Sequence, residues 1–306
     1  MLSKERELRY IPPEQFFDAI AAFDPRYAVT RGVFTDDIPS LLADMEWNHM
    51  DQLHRPYIHR TYGSNTRIAS GKDFAVSLMR FGRWPFLITV TDVRVEEGVY
   101  YQTFVLGGLI GVHIIIRMQG ADGTVNLRVE WAIQSHRFLK PLHAVLDRML
   151  YRLNTRLQKE DAAIRGQRFH LRKCGYSFRS DPPDYITSNL TGRHTVYPKL
   201  AGDAVIALDA VPMDVNTLCE AGNGSFVLRR RKDDVLIWSA ACPHQGGELQ
   251  KGTFLDDCRL QCPWHGLTFS AACLSADRPS AAMYGFLYRL EGDAIHIRTV
   301  ESSSQE

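Results

Sequence analysis

Two short stretches in the C-terminal third of the chain constrain its fold most: Cys242-Pro243-His244 and, after 17 intervening residues, Cys262-Pro263-Trp264-His265. Each half offers one thiol and one imidazole, and each runs into glycine, as Gln245-Gly246-Gly247 and as Gly266. That pattern suits two tight loops clasping one inorganic centre, with backbone N–H groups aimed at sulfur. A Cys2His2 zinc site is the plain alternative. Zinc sites of that kind usually keep cysteines with cysteines and histidines with histidines along the chain. Here each half mixes the two, which fits a two-iron cluster with thiolates on one iron and imidazoles on the other.

The segments 242–252 and 262–266 closely resemble Rieske ferredoxins and the Rieske domains of oxygenases, and the likeness runs over roughly residues 200–300. The resemblance implies a [2Fe–2S] cluster held by Cys242, His244, Cys262 and His265. Neutral imidazoles leave such a cluster less negative than four thiolates do, so it is easier to reduce, at roughly −150 to +300 mV across the class. Rieske proteins of respiratory complexes add a disulfide-forming Cys in each loop and a Ser after the second. The matching places here are Gly247, Trp264 and Leu267. Fewer hydrogen bonds to the sulfurs imply a lower potential, of the ferredoxin or oxygenase type.

At 306 residues the chain is long enough for two domains with real cores. Its 45% apolar and 23% charged content is that of an ordinary globular protein. A net charge of +1 makes no electrostatic case for nucleic acid. Six cysteines are too few for a disulfide scaffold at this length. Cys174, Cys219, Cys258 and Cys273 read as plain reduced thiols of a cytoplasmic protein. Residues 1–9 are too charged for a signal peptide. The longest apolar stretch, 104–116, is too short to cross a bilayer, so no membrane partner is expected.

The C-terminal part reads as short strands at 204–210, 225–229, 235–240, 286–290 and 294–298. Before it, 180–184 and 191–198 are rich in proline, glycine and polar residues, which suggests an interdomain connection and domains of 1–190 and 191–306. In the N-terminal part, 36–60 looks helical. Strand candidates follow at 73–81, 86–96, 99–106, 112–119 and 124–134, with Asp122-Gly123 as a hairpin turn. The glycines at 107, 108 and 111 lie between two strands with no helix behind them, so they are not a dinucleotide loop. From 138 to 168 leucines recur at helical spacing, with Pro141 suited to a first turn. An antiparallel sheet followed by a long helix resembles the helix-grip (START/Bet v 1-like) fold, making the chain α+β with an all-β Rieske domain at its C-terminal end. Phe86, Tyr101, Phe104, His113 and Trp131 are candidates to line a cavity in that grip.

A second constellation lies at Asn48-His49-Met50-Asp51-Gln52-Leu53-His54-Arg55-Pro56-Tyr57-Ile58-His59. Two histidines and a carboxylate on one face, with positions left open for dioxygen and substrate, bind mononuclear non-haem Fe(II). Residues five apart on an ideal helix are about 140° apart, so His54 and His59 share an ion only if the helix breaks between them. Pro56, by disfavouring the helical region at Arg55, is the expected cause of the break. The segment matches the Rieske oxygenase signature N-x-x-D-x-x-H-x4-H at Asn48, Asp51, His54 and His59. The family draws its third ligand from the C-terminal helix, in a stretch resembling Glu160-Asp161-Ala162-Ala163-Ile164. Periodicity alone does not separate Glu160 from Asp161, since both border the apolar stripe; the resemblance points to Asp161. It also implies that Asp51 accepts hydrogen bonds from His54 and from a cluster histidine, by position His265, of a neighbouring subunit.

The resemblance implies an oxygenase that uses electrons from the cluster to activate dioxygen at the mononuclear iron and to oxygenate a small organic substrate, as a mono- or dioxygenase. It implies a separate NAD(P)H-dependent reductase or ferredoxin and a homotrimer. The other class consistent with the sequence is a non-enzymatic Rieske electron carrier with a ligand-binding helix-grip domain. In the family the Rieske domain usually comes first; here it follows.

Overall fold

In the computed structural model, residues 10–59, 62–81, 87–106, 108–255 and 257–300 are described; Phe86 and Gly107 lie outside them. By its contacts the chain forms two compact units, Met1–Ala162 with Pro183–Asn189, and Ala163–Pro182 with Leu190–Glu306. A single cut near residue 190 treats the chain as two consecutive pieces, whereas residues 163–182 group with the second unit.

The first unit is built on seven strands: β1 (Tyr27–Pro39), β2 (Tyr62–Ser70), β3 (Phe74–Phe81), β4 (Leu87–Glu96), β5 (Val99–Leu106), β6 (Ile110–Ala121) and β7 (Thr124–His136). They form one antiparallel sheet in the order β1-β7-β6-β5-β4-β3-β2. β2 to β7 are a meander, and β1 closes onto β7 from Tyr27↔His136 to Pro39↔Thr124. The β6–β7 hairpin turns at Asp122-Gly123, both at positive φ (46° and 78°), the conformation that a tight two-residue hairpin requires.

Side chains alternate across this sheet. Ile114, Ile116, Leu127, Val129, Trp131 and Ile133 face one core, which Leu146 and Leu150 of the long helix α4 (His143–Lys173) help to cover. Tyr101, Ile115 and Ala132 face the other side, covered by Phe16, Phe17 and Ile20 of a short helix, α1 (Phe16–Ala22). Of the cavity candidates, Phe104 and Trp131 therefore lie on the α4 side. Trp131 is core, its indole N–H donating to Asp147 of α4 at 2.9 Å. Tyr101 lies on the opposite face, against α1; so does His113, next to Ile114 in an alternating strand. Helix and sheet together make a helix-grip arrangement.

Two local expectations are corrected. Residues 36–39 complete β1 rather than open a helix, and the helical stretch is two pieces, α2 (Leu42–Met50) and α3 (Arg55–Ile58). The break falls at Asp51, whose backbone is extended (φ −73°, ψ 97°). Pro56 sits in the first turn of α3, where its missing N–H costs nothing, so it starts a turn rather than ending one. β1 and β2 had no clear strand signal because both are edge strands with polar outer faces. In β1, Gly32 leaves room for the Trp131–Asp147 pair, since a Cβ there would come within 2.3 Å of Asp147 Oδ1 and 2.4 Å of the Trp131 indole.

The second unit begins with the C-terminal turns of α4 and the paired short strands β8 (Ser177–Phe178) and β9 (Thr195–Val196). The rest is all-β. Strands β10 (Ala204–Ala207), β11 (Thr217–Ala221), β12 (Gly224–Arg230) and β13 (Asp234–Ser239) are followed by β14 (Thr253–Leu255), β15 (Arg259–Gln261) and β16 (Thr268–Ser270). The last four are β17 (Ala272–Ser275), β18 (Ser280–Met283), β19 (Phe286–Glu291) and β20 (Ala294–Thr299). They form sheets β10-β20-β19-β18, β11-β12-β13-β17 and β14-β15-β16. Phe226, Leu228, Ile237, Leu274, Tyr288, Ile295 and Ile297 share a core in this unit. Among the described residues no helix is long and apolar enough to cross a membrane.

Candidate metal centres

In the second unit, one cluster loop follows β13 and the other joins β15 to β16. Each is closed by a pair of backbone hydrogen bonds. Cys242 N–H donates to Gly247 C=O (2.8 Å) and Gly246 N–H to Cys242 C=O (2.9 Å); Cys262 N–H donates to Leu267 C=O (2.8 Å) and Gly266 N–H to Cys262 C=O (3.0 Å). Gly246 and Gly266 take positive φ (83° and 67°), which only glycine adopts without strain.

The loops bring all four expected ligands together. The Nδ1 atoms of His244 and His265 lie 3.1 Å apart, and Cys242 and Cys262 are buried beside each other. Burial and the neighbouring Cys262 push the Cys242 thiol up, while the hydrogen bond to Cys242 holds Cys262 down. Backbone N–H groups of His244 and Gln245 point at the first sulfur, and those of Trp264 and His265 at the second. Two thiolates, two imidazole nitrogens and a set of N–H donors for sulfur are the donor set of a Rieske cluster, so the residues fit the group.

The segment read from sequence as a connection has a further task. His194 N–H donates to the carbonyls of Pro243 (3.0 Å) and His244 (3.1 Å), and Thr195 Oγ1 donates to that of Cys242 (2.8 Å). His244 Nε2 donates to the Leu190 carbonyl at 2.6 Å. From α4, the buried Arg168 donates to Gln245 Oε1 (2.8 Å) and stacks 3.6 Å over the Phe178 ring. None of these backbone partners had a signature in the sequence, because a carbonyl is supplied by any residue.

In the first unit, His54 and His59 flank the single turn of α3, and Asp161 projects from α4. His54 Nε2 and His59 Nε2 are 3.2 Å apart, and Asp161 Oδ1 is 3.7 Å from the first and 3.2 Å from the second. All three side chains are buried, and their ligand atoms lie within 4.8 Å of one another. Ligand atoms about 2.1 Å from one ion are about 3.0–3.4 Å apart at octahedral or tetrahedral angles. Both spacings to His59 Nε2, 3.2 Å, lie in that range, and the His54–Asp161 spacing of 3.7 Å is slightly wider, so a small inward shift of one side chain would close the three on a divalent ion bound on one face.

The histidines are differently poised. Burial lowers the pKa of His54, against the attraction of Asp51 and Asp161. At His59 burial also acts downward, but the hydrogen bonds and charge of Asp161 and Glu160 outweigh it and the pKa is raised. Asp51 is buried, with Oδ2 3.6 Å from His54 Nδ1 and Oδ1 accepting from Leu53 N–H at 3.0 Å. Glu160 lies on the far side of the His59 ring, 3.0 Å from Nδ1. Asn48 is buried, and its Oδ1 has no hydrogen-bond partner among the described residues.

Sequence reasoning missed the residue that sets the bend. Asn189 accepts from Gln52 N–H (2.9 Å) and donates to the Met50 carbonyl (2.8 Å), clamping the backbone on either side of Asp51. Arg55 also ties α3 to the sheet, 3.6 Å from the buried Asp92.

Residues 204–297 match the Rieske [2Fe-2S] domain family, so the C-terminal part of the chain is a Rieske domain and implies iron–sulfur electron transfer. No curated protein matches the chain. Among solved structures it is similar to truncated norcoclaurine synthase from Thalictrum flavum, at 12% identity over 40% of this chain and 86% of that one (TM-score 0.34). It is similar to the Zhui aromatase/cyclase from Streptomyces sp. R1128, at 14% identity over 45% of this chain and 97% of that one (TM-score 0.36). A third similarity is to the ferredoxin of carbazole 1,9a-dioxygenase from Nocardioides aromaticivorans IC177, at 21% identity over 32% of this chain and 96% of that one (TM-score 0.25).

Proposed function

We propose that the chain is a Rieske-type oxygenase acting on a small organic substrate, with Fe(II) held by His54, His59 and Asp161. The observation that carries this reading is the convergence of Nε2 of both histidines and Oδ1 of Asp161 within 4.8 Å of one another, all three buried. When bound, such an iron offers open positions at which dioxygen is activated with electrons supplied by the Rieske cluster. The chain's own groups do the rest. His54 and His59 each turn Nε2 toward the shared position, where a bound ion would take the place of a proton, and Asp161 would contribute one negative charge. Asp51 faces the outer nitrogen of His54 at 3.6 Å, close enough for its charge to act on the ring. Their burial keeps bulk water from the ligands.

The electrons come from a separate NAD(P)H-dependent reductase or ferredoxin, and the working form is a homotrimer. Metal analysis of anaerobically purified protein tests the reading. An oxygenase holds one iron beyond those of the cluster; a non-enzymatic carrier with a ligand-binding grip does not. Full cluster occupancy without that additional iron, even after Fe(II) reconstitution, refutes the proposal. Asp161→Ala is expected to abolish substrate-dependent oxygen uptake while the Rieske optical spectrum persists.

A further inference from the structure

Two adjacent carboxylates, Glu160 and Asp161, stand at the same helix edge, yet they meet His59 from opposite sides of its ring. Asp161 Oδ1 faces Nε2 at 3.2 Å, on the side shared with His54. Glu160 Oε2 faces Nδ1 at 3.0 Å, and its other oxygen accepts from Arg156 Nε, one turn back on α4, at 2.8 Å. In a neutral imidazole one nitrogen carries the proton and the other the lone pair, so a group that accepts from one decides what the other can do.

We propose that Glu160 is a positioning residue for the metal centre: it accepts the Nδ1–H of His59 and holds the ring in the tautomer and orientation that turn the Nε2 lone pair toward His54 Nε2 and Asp161 Oδ1. This rests on the metal-centre reading above. Glu160 is excluded as a ligand by the same geometry, because the two ring nitrogens point away from each other and an ion on the Nε2 side is out of line with the Glu160 carboxylate. The pairing gives each histidine its own outer carboxylate, Asp51 for His54 and Glu160 for His59. Both the Glu160 bond to His59 and its ion pair with Arg156, whose side chain is half exposed, are made within the first unit. A carboxylate in this place also makes the imidazole a better donor to a metal, and loss of such partners typically costs 10–100-fold in metal affinity.

The test uses full-length protein with its cluster intact, the mononuclear site emptied by a chelator under anaerobic conditions, and Co(II) as the probe, titrated by its visible ligand-field bands. Wild type is expected to bind one Co(II), and Asp161→Ala to lose it. Glu160→Ala is expected to weaken binding about 10–100-fold and to shift the Co(II) bands. Glu160→Gln, whose amide oxygen still accepts from Nδ1–H without the charge, is expected to fall between the two. Arg156→Ala is expected to stay near wild type. Cluster absorbance and the thermal melt of each variant report folding.

Wild-type affinity and spectrum in Glu160→Ala overturn the positioning role alone, since Asp161→Ala still reports the centre. Loss of affinity in Glu160→Ala that Glu160→Gln does not relieve, with a lowered melt in both, makes the residue merely structural and overturns the proposal. So does equal loss in Arg156→Ala, which assigns the effect to the ion pair. Binding abolished by Glu160→Ala but kept by Asp161→Ala overturns it by making Glu160 the ligand. Absence of Co(II) binding in wild type sinks the metal-centre reading, and this inference with it.

Discussion

His49 should make the first unit lose stability in mild acid, and by a predictable amount. It lies on α2 with 13% of its side chain exposed and Nε2 4.0 Å from the buried carboxylate of Asp92, beyond hydrogen-bonding distance. Its ring centroid is 4.5 Å from that of Tyr100. Burial is the largest influence and lowers its pKa; Asp92 and Asp161 oppose it, while Arg55 and His54 reinforce it. The result is a pKa of about 4 against an ordinary 6.5. Because the folded value is depressed, the unfolded chain binds the proton more readily between these limits. The stability is fully present above pH 6.5 and drains away as pH falls toward 4. At pH 5 the unfolded state is favoured by about 1.5 units of proton affinity, or ~2 kcal/mol. His49→Gln removes this contribution, while every other titrating group is shared with wild type and cancels. Urea unfolding at pH 7 and pH 5, read by hydrogen exchange of peptides covering β6 and β7, measures the difference. Wild type should lose ~2 kcal/mol more than the variant on acidification. An equal loss in both proteins refutes the reasoning, and a smaller loss in wild type shows that Asp92 holds a protonated His49 instead.

Three further outcomes are expected. In Gly247→Ala the new Cβ would stand 2.8 Å from Cys262 Sγ and 3.0 Å from the Trp264 indole, an overpacking cost of about 1–3 kcal/mol. Iron and labile-sulfide content should fall, and full occupancy would show that the loop yields. Arg168→Met removes the hydrogen bond to Gln245 and the stacking on Phe178, and should lower the stability of the second unit by roughly 2–3 kcal/mol. The urea midpoint for cluster bleaching checks this, and an unchanged midpoint counts against it. Asp51→Asn keeps an acceptor for Leu53 N–H but removes the charge beside His54. It should slow substrate-dependent oxygen uptake by about 10–100-fold with both iron pools retained; uptake at the wild-type rate argues against a coupling role for Asp51.

What the sequence could reveal, and what it could not, divides along a physical line. The Rieske domain was legible because thiolate and imidazole are rare, short-range chemistries whose spacing along two loops brings them together in space. The meander from β3 to β7 was legible too, since alternation and turn residues are local, and β5 was bounded correctly at both ends. Edge strands β1 and β2 were not, because their outer faces are solvated and their pairing is settled by neighbours distant in sequence. A break was expected between His54 and His59, with Pro56 as its cause; the helix instead breaks earlier, at Asp51, where the backbone is clamped by Asn189, far along the chain.

The sequence by itself determined which atoms are available to hold metal: two thiols and two imidazoles in one set, two imidazoles and a carboxylate pair in the other. Only the tertiary structure shows where Glu160 and Asp161 stand relative to His59. Adjacent residues on a helix edge are indistinguishable by periodicity, and they part only when His59 is set between them, one carboxylate at each ring nitrogen.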